Sequence, residues 1–433
     1  LYSSAASDVY KRQSDSALDL AEDAPMSPKL RVVGIGCDGY PGLSARAVEA
    51  LSSARRIIGS PRQLHLLADV NLDADLSPWP GGFWKDWRAP LADIDPAVDV
   101  ILASGDPMFH GVGVSLVREL GRGAVEVIPA PSSASLACAY LGWPLHDTPV
   151  ISLVTGEPGL PGAARVVPVA DSLRPFLVLC RNADSVKEVA TVLADRPDTK
   201  LTALTNLGGT EATGLPESVA AGTVANPPVP AGNLTVLAVE PSGSARGWLR
   251  DGDFDSDGQL TKAPIRQMTV AALDPRPGAL LWDVGGGTGS IGIEWARHGG
   301  RAEIFERDAV RAERIAKNVA ALSGNVTVHR GAAPAVLADS NLRPDAIFIG
   351  GGLTADGMIE TCWQRLAPGG TIVANTVTLE SEALLWQARR DYGGDVTRLS
   401  VERAGAVGSF TAWRPTLPVV QWVAEKPVEP ALP

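Results

Sequence analysis

The sequence has few of the residues that mark a metal site or a disulfide framework. Only 4 cysteines and 5 histidines occur among its 433 residues. The cysteines are scattered without a C-x-x-C pair, and no two histidines have the H-x-x-x-H spacing. These patterns argue against a structural zinc site, a disulfide scaffold and a metal hydrolase. A reducing, cytoplasmic location and a site without metal are therefore expected.

An excess of positive charge and long apolar runs are also missing. The formal net charge is −11, which argues against a general nucleic-acid binder. No apolar run approaches the roughly 18 residues that a membrane helix needs. We therefore expect neither a nucleic acid nor a membrane as a partner. The composition, 45% hydrophobic and 20% charged, is typical of a globular protein, and the length predicts two or three domains.

Alternating strand and helix patterns organise the chain into two α/β regions. Short β-branched runs such as RVVGIG alternate with helical stretches, which predicts mostly parallel sheets covered by helices. A stretch rich in Gly, Asp and Ser interrupts this alternation and is interpreted as a linker. The polar start of the chain is expected to be disordered or foreign to the fold. The predicted division is a leader at 1–29, a domain at 30–241, a linker at 242–257, a domain at 258–415 and a tail at 416–433.

The stretch LLWDVGGGTGSIGIEW predicts a buried strand, a glycine turn and a helix start. Glycines allow the backbone to bend sharply and approach a ligand, and the helix start offers free N–H groups. Gly287, Gly289 and Gly292 fit the dinucleotide pattern G-x-G-x-x-G. Gly285, Gly287 and Gly289 fit the G-x-G-x-G pattern of S-adenosylmethionine sites. The glycines alone leave both cofactors open, and so does a turn that only packs a helix on a sheet.

Two acidic residues help to distinguish a dinucleotide from S-adenosylmethionine. Asp283 directly precedes the turn, where a carboxylate suits a cofactor with an ammonium group better than one with a pyrophosphate. Glu306 ends the following strand, where it is placed to hold the ribose of either cofactor. S-adenosylmethionine is therefore favoured, and an NAD-dependent oxidoreductase stays the alternative.

A second strand runs into a glycine turn near the start of the chain, in LRVVGIGCDGYPG. ASGDP and APSS follow two later strand patterns in the same region. Small residues at such strand ends let the backbone reach a ligand, and exposed N–H groups bind carboxylates. Taken alone, ASGDP is equally compatible with an ordinary turn.

These motifs resemble two known families. TKAPIRQM, DVGGGTGSIG, IFIGGG and LAPGGTIVANTVTLES are similar, over 257–413, to the CbiT-type methyltransferases of corrin biosynthesis. VVGIGCDGYPGLS, ILASGDPMFHGVG and VIPAPSSASLACAYLGWP resemble the CbiE-type branch of the tetrapyrrole methylases, over about 30–240. The resemblance implies an α/β protein with an N-terminal tetrapyrrole methylase (class III) fold and a C-terminal Rossmann-like class I methyltransferase fold.

One chain with both domains resembles the CobL-type family of precorrin-6Y C5,15-methyltransferases (decarboxylating). This implies methylation of precorrin-6B at C5 and C15, with loss of carbon dioxide from the ring C acetate. The resemblance ties C15 methylation and decarboxylation to the C-terminal domain and C5 methylation to the N-terminal domain. It further implies S-adenosylmethionine in each domain, a tetrapyrrole substrate and a homo-oligomer. GAAPA stands where the family usually has GDAPE, so Ala332 brings no carboxylate to the cofactor. A tetrapyrrole-binding scaffold with one inactive domain is therefore a further alternative.

The resemblance also implies the cofactor-binding residues. In the C-terminal domain they are Asp283, Gly285, Gly287, Gly289 and Glu306. In the N-terminal domain they are Gly34, Gly36, Ser104, Gly105, Asp106, Pro107, Phe109, Pro131, Ser132 and Ser133.

Three residues are candidates for direct roles in the reaction. A polycarboxylate substrate needs cations, and Lys262 and Arg266 share one face if their segment is helical. The alternative is that this pair lies on a solvent-exposed helix face and does not bind the substrate. Glu380 follows the end of a strand, where it would either steer a proton or cap a turn.

Overall fold

The computed structural model describes residues 28–79, 91, 93–154 and 162–428. The described residues up to Ser132 form one compact unit, and those from Ser133 onward form a second. Almost all of the predicted leader, and the end of the predicted tail, lie outside the described residues. Within the described ranges, every helix is too short or too polar to span a lipid bilayer.

The first unit contains a parallel five-stranded sheet with the order β3-β2-β4-β1-β5. Its strands are β1 (Leu30–Ile35), β2 (Arg56–Gly59), β3 (Asp75–Pro78), β4 (Asp99–Ser104) and β5 (Val125–Ile128). Its helices are α1 (Ala45–Ser52), α2 (Pro61–His65) and α3 (Val112–Leu120). Because β1, β2 and β4 run in parallel, the loops that follow them meet at one edge of the sheet.

The second unit begins with a mixed five-stranded sheet with the order β6-β7-β10-β8-β9. Its strands are β6 (Val150–Ser152), β7 (Phe176–Leu179), β8 (Lys200–Thr205), β9 (Ser218–Thr223) and β10 (Thr235–Glu240). The helices of this region are α4 (Ser133–Leu141), α5 (Val167–Ala170) and α6 (Ser185–Val192). Only β6 and β7 pair in parallel; the other neighbours are antiparallel.

A seven-stranded sheet with the order β13-β12-β11-β14-β15-β19-β16 follows in the same unit. Its strands are β11 (Leu280–Val284), β12 (Arg301–Glu306), β13 (Val326–Arg330), β14 (Ala346–Ile349), β15 (Thr371–Thr376), β16 (Asp395–Leu399) and β19 (Val419–Glu425). β17 (Glu402–Val407) and β18 (Phe410–Pro415) form a separate hairpin. The helices are α7 (Ala263–Leu273), α8 (Ser290–Arg297), α9 (Ala309–Leu322), α10 (Met358–Arg365) and α11 (Leu379–Tyr392). The strand order reverses at β11, which places a crevice beyond its carboxyl end.

Two segments that were predicted to lie outside the domains, the linker and the tail, contribute residues to the C-terminal domain. The tail predicted from residue 416 is wrong for Val419–Glu425, because β19 lies between β15 and β16. The linker predicted at 242–257 is wrong as a free connection, because Leu249 and Phe254 are buried in the core of the C-terminal domain. The segment is rich in Gly, Asp and Ser, and this composition gave no indication that Leu249 and Phe254 are buried.

The predicted division near residue 241 also differs from the division into compact units. Asp171 is 3% exposed and accepts hydrogen bonds from Arg196 and Arg297. Arg297 reaches it from α8 of the C-terminal domain, at 2.5 Å between Nη2 and Oδ2. The buried carboxylate therefore joins the second sheet region to the C-terminal domain within one unit.

Candidate active sites

The first glycine turn depends on a close approach between backbone segments. A Cβ on Gly34 would lie 2.0 Å from the carbonyl oxygen of Gly105 and 2.7 Å from the nitrogen of Ala130. The amide of Gly105 donates to the carbonyl of Ile35 at 2.9 Å, and Gly105 has φ 57°. Only glycine fits at Gly34, where the loops after β4 and β5 converge on the end of β1.

The loop after β4 is held by its own hydrogen bonds. The Asp106 carboxylate accepts from the amide of Met108 at 2.8 Å, and the amide of Phe109 donates to the carbonyl of Asp106 at 3.1 Å. The Ser104 hydroxyl accepts from the Arg62 guanidinium at 2.6 Å. Sequence reasoning missed Arg62; a cation soon after the strand RIIG was the available signal.

The other residues predicted for the N-terminal cofactor site lie in three separate segments. Gly36 lies beneath Asp38, whose Oδ1 would be 2.5 Å from a Cβ there. The Pro107 carbonyl lies against the helix start at Gly111 and Gly113. Pro131 and Ser132 end the first unit, whereas Ser133 begins α4 in the second. The first unit thus brings Gly34 against Gly105 and Ala130, which are next in sequence to the predicted residues Ser104, Asp106 and Pro131.

The second glycine turn uses left-handed backbone at three positions. Gly285, Gly287 and Gly289 have φ of 74°, 61° and 75°. A Cβ on Gly285 would lie 2.7 Å from the backbone nitrogen of Gly351, in the loop after β14. α8 begins at Ser290, and because its N-cap residue Gly289 has no side chain, the amides of its first turn need other acceptors.

The Asp283 carboxylate is buried directly beneath this turn. The residue is 1% exposed, and its Oδ2 accepts from the amide of Gly292 at 2.9 Å. Its Oδ1 has no hydrogen-bond partner among the described residues. Burial raises the pKa of Asp283 to about 7; the Gly292 amide opposes this shift and the charge of Glu306 adds to it. A cation bound here would satisfy the open oxygen and stabilise the charged carboxylate.

Glu306 approaches the same turn from the end of β12. Its Oε2 accepts from the amide of Gly287 at 3.0 Å, and its Oε1 accepts from the amide of Asp308 at 2.9 Å. The side chain is mostly buried, with 5% of the residue exposed. The structure therefore brings Asp283, the three glycines and Glu306 together at the carboxyl edge of β11 and β12.

Arg266 does not lie in this site, and its predicted role as a substrate-binding residue is corrected. It is 0% exposed, and its guanidinium contacts Glu294 at 3.3 Å and Asp251 at 3.1 Å. It also donates to the carbonyl of Leu249 at 2.6 Å. The four-residue spacing indicated a shared helix face, but Arg266 points into the core, where it is a structural ion.

Lys262 and Glu380 are both exposed. Lys262 is the N-cap residue of α7, outside the helix that was expected to give it a face shared with Arg266. Glu380 lies in the first turn of α11. Neither side chain forms an ion pair within the described residues, so their roles stay predictions. Ala332 is exposed beyond the end of β13.

Two family models match the chain in the order of these sites. The model described as tetrapyrrole (corrin/porphyrin) methylases matches residues 29–223. The model described as a precorrin methyltransferase domain matches residues 252–426. The protein is therefore a two-domain methyltransferase of the tetrapyrrole class, which confirms the predicted fold class.

Full-length relatives narrow this class. The precorrin-6Y C(5,15)-methyltransferase [decarboxylating] of Mycobacterium tuberculosis (strain CDC 1551 / Oshkosh) is 41% identical, over 91% of this chain and 99% of the relative. The protein of that name from Sinorhizobium sp is 38% identical, over 93% and 97%. The chain belongs to this family of precorrin-6Y C(5,15)-methyltransferases (decarboxylating). The predicted family and enzyme class are confirmed, and the NAD-dependent alternative has no support.

A solved structure covers the C-terminal part of this similarity. It is the C-terminal domain of precorrin-6Y C5,15-methyltransferase from Rhodobacter capsulatus, which is 44% identical. The match covers 42% of this chain and 100% of that chain, with a TM-score of 0.40.

Proposed function

We propose that this chain methylates precorrin-6B at C5 and C15 and removes the ring C acetate carboxyl as carbon dioxide. The observation that carries the proposal is the presence of two glycine-turn sites in a chain that is similar to decarboxylating C5,15-methyltransferases over nearly its whole length. The tetrapyrrole offers electron-rich ring carbons as nucleophiles and serves as the electron sink for decarboxylation. The protein then has mainly to hold the reacting carbons in line.

We propose that S-adenosylmethionine binds at each turn. When bound, this cofactor supplies an activated methyl group. In the C-terminal site, the unpartnered Oδ1 of Asp283 fits its ammonium group, and Glu306 fits its ribose hydroxyls. Gly285 lets the Gly351 backbone approach the turn, where a Cβ would clash with it. In the N-terminal site, Gly34 and the loop from Ser104 to Phe109 offer backbone groups instead.

The exposed candidates Lys262 and Glu380 are proposed to act on the substrate in the C-terminal site. Lys262 would hold a peripheral carboxylate, because its ammonium group has no competing ion pair among the described residues. Glu380 would accept or hold a proton at its carboxylate. Arg266 has no part in this proposal, since its charge is balanced inside the core.

A product assay by mass spectrometry tests the function. The intact chain is incubated with S-adenosylmethionine and precorrin-6B, and the tetrapyrrole mass is followed. A gain of two methyl groups with loss of one carbon dioxide is expected. One methyl group without decarboxylation would support the scaffold alternative and direct attention to Ala332. Cofactor binding without any transfer would contradict the proposed substrate.

We propose that the chain forms a homo-oligomer through the β17–β18 hairpin. Phe410 is 79% exposed and Trp413 is 69% exposed, so the hairpin presents large apolar side chains to solvent. Phe410 and Trp413 are three residues apart in β18 and therefore lie on opposite faces of the hairpin, so neighbouring copies would have to cover both faces. Light scattering should show an oligomer, which a Phe410→Ser, Trp413→Ser variant dissociates into monomers.

We propose a cytoplasmic location, since S-adenosylmethionine is a cytoplasmic metabolite. Cell fractionation with an antibody against the chain tests this proposal. Recovery with the membrane or a secreted fraction would contradict it.

A further inference from the structure

Arg62 lies at the edge of the first sheet where the loop from Ser104 to Phe109 begins. It belongs to α2, which follows β2 directly and is capped by Ser60, whose hydroxyl accepts from the amide of Gln63. β2 and β4 are parallel neighbours. The start of α2 is therefore brought to Ser104, the last residue of β4, and Arg62 and Gln63 both donate to its hydroxyl, at 2.6 and 3.1 Å.

The charge of Arg62 has no partner of opposite sign within the described part of the chain. Arg55 and Arg56, a few residues earlier, both form ion pairs with Asp99. Arg62 is half-buried, and among the described residues only the neutral Ser104 hydroxyl accepts from its side chain. A guanidinium has five N–H donors in a planar fork, so most of its hydrogen-bonding capacity is unused.

Cys37, the ionisable group that acts on the pKa of Arg62, does not balance this charge. Burial lowers the pKa of Arg62, and the neighbouring Cys37 thiol works against that shift. Burial in turn raises the pKa of the Cys37 thiol, so it stays neutral where most enzymes work. A half-buried cation with spare donors is suited to a carboxylate ligand, which accepts two parallel N–H bonds from a guanidinium.

We propose that Arg62 binds a peripheral carboxylate of the tetrapyrrole and so orients the ring for methylation in the N-terminal site. This inference rests on the proposed function, because the substrate must carry acetate and propionate groups. The Arg62 guanidinium contacts Ser104, the residue before Gly105, and the Gly105 carbonyl packs against Gly34 at the turn. A carboxylate bound there would place the ring edge beside the loop that starts at Ser104.

The carboxylate of S-adenosylmethionine is the other source of the same chemistry, and the experiment separates the two. Arg62→Gln and Arg62→Lys are made in the full-length chain. Arg31→Gln is the matched control, because Arg31 also donates to a serine hydroxyl in this unit, that of Ser53 at 2.7 Å. The readouts are KM and kcat for each methylation, the dissociation constant of S-adenosylmethionine and the melting temperature.

Arg62→Gln is expected to raise KM for the tetrapyrrole in C5 methylation by about 10-fold or more, the loss of a charged hydrogen-bonding pair. Arg62→Lys should recover part of this loss, and Arg31→Gln should change nothing. C15 methylation and the affinity for S-adenosylmethionine should stay within about 2-fold, the size of effect expected for a site that is not touched. Weaker cofactor binding with an unchanged KM for the tetrapyrrole would overturn the proposal and assign Arg62 to the cofactor. A fall in kcat or melting temperature alone would show that Arg62 only braces Ser104.

A binding measurement keeps this inference separate from the proposed function. Uroporphyrin, a tetrapyrrole with eight carboxylates, is titrated into the chain and its fluorescence is followed. If the wild-type chain fails to methylate precorrin-6B but binds uroporphyrin, the proposed function fails while the role of Arg62 is still tested. Equal uroporphyrin affinity for the wild type and Arg62→Gln would overturn the role of Arg62.

Discussion

The two glycine turns differ in what surrounds them. At the turn after β1, Gly34 admits the backbone of Gly105, and the loop is held by backbone hydrogen bonds, by the half-buried Asp106 carboxylate and by the Arg62 guanidinium at Ser104. At the turn after β11, two buried carboxylates, Asp283 and Glu306, accept hydrogen bonds from the amides of the turn and of the helix that follows. One site is thus built from backbone geometry and the other from buried negative charge. If both bind the same cofactor, their activities should respond differently to mutation and to pH.

The largest expected effect comes from adding side chains at the turns. Gly285→Val should abolish C15 methylation, or reduce it by about 100-fold or more, because misplacing bound groups by about 1 Å has such an effect. The new Cβ would meet the Gly351 backbone at 2.7 Å, in a left-handed conformation that valine avoids. C5 methylation should persist, and Gly34→Val should give the converse result. The measurement is the mass of the tetrapyrrole product.

Gly247→Val is the control for this pair. Gly247 is exposed, and a Cβ there would meet nothing within 4 Å. Both methylations should be unaffected by it. If Gly285→Val and Gly34→Val each removed both methyl transfers, the two turns would not be independent sites.

A smaller effect is expected from Glu306→Gln. Losing a charged hydrogen-bonding partner should weaken S-adenosylmethionine binding at the C-terminal site by about 10- to 100-fold. The N-terminal site should bind as before, so calorimetry should resolve one weakened and one unchanged site. Glu313→Gln, an exposed change on α9, is the control. Two unchanged sites would argue against a cofactor at Glu306.

The two sites should also differ in their dependence on pH. The pKa of Asp283 is raised to about 7, so its carboxylate becomes neutral as the pH falls below that value. Affinity for the ammonium group at the C-terminal site should fall by about 10-fold between pH 7.5 and pH 6, since each pH unit below the pKa costs a factor of ten. The N-terminal site should change little. In Asp283→Asn the C-terminal site should be weak at every pH, and a surviving pH dependence would exclude Asp283 as its cause.

The same carboxylate should affect the stability of the ligand-free chain in the opposite sense. A folded-state pKa above the ordinary value of an aspartate means that the protonated form stabilises the fold at low pH. This contribution is lost as the pH rises through about 7. Asp283→Asn should therefore raise the melting temperature at pH 8 and change it little near pH 4. An equal shift at both values would show that packing, not charge, is responsible.

Local patterns in the sequence predicted the turns but not the contacts across the fold. The glycines, Asp283 and Glu306 lie within two adjacent strand–turn–helix units, so spacing alone brought them together. The burial of Arg266 depends on Glu294 and Asp251, which local spacing did not connect to it. β19 was missed because its partners, β15 and β16, make it a central strand only in the folded sheet. Arg62 was missed because its significance depends on Ser104, which is distant in sequence.

The smallest expected effect concerns how the helices after the two turns begin. The Ser44 hydroxyl caps α1 by accepting from the amide of Ala47 at 3.2 Å, whereas the N-cap residue of α8 is Gly289 and the Asp283 carboxylate of β11 accepts from its first turn instead. Ser44→Ala should lower the free energy of unfolding of the first unit by about 1 kcal/mol. Urea denaturation should show this loss, and Ser44→Asn should restore most of it, because asparagine caps equally well. An unchanged midpoint in Ser44→Ala would mean that the Ser44 hydroxyl does not stabilise the start of α1, in contrast to the buried carboxylate at the start of α8.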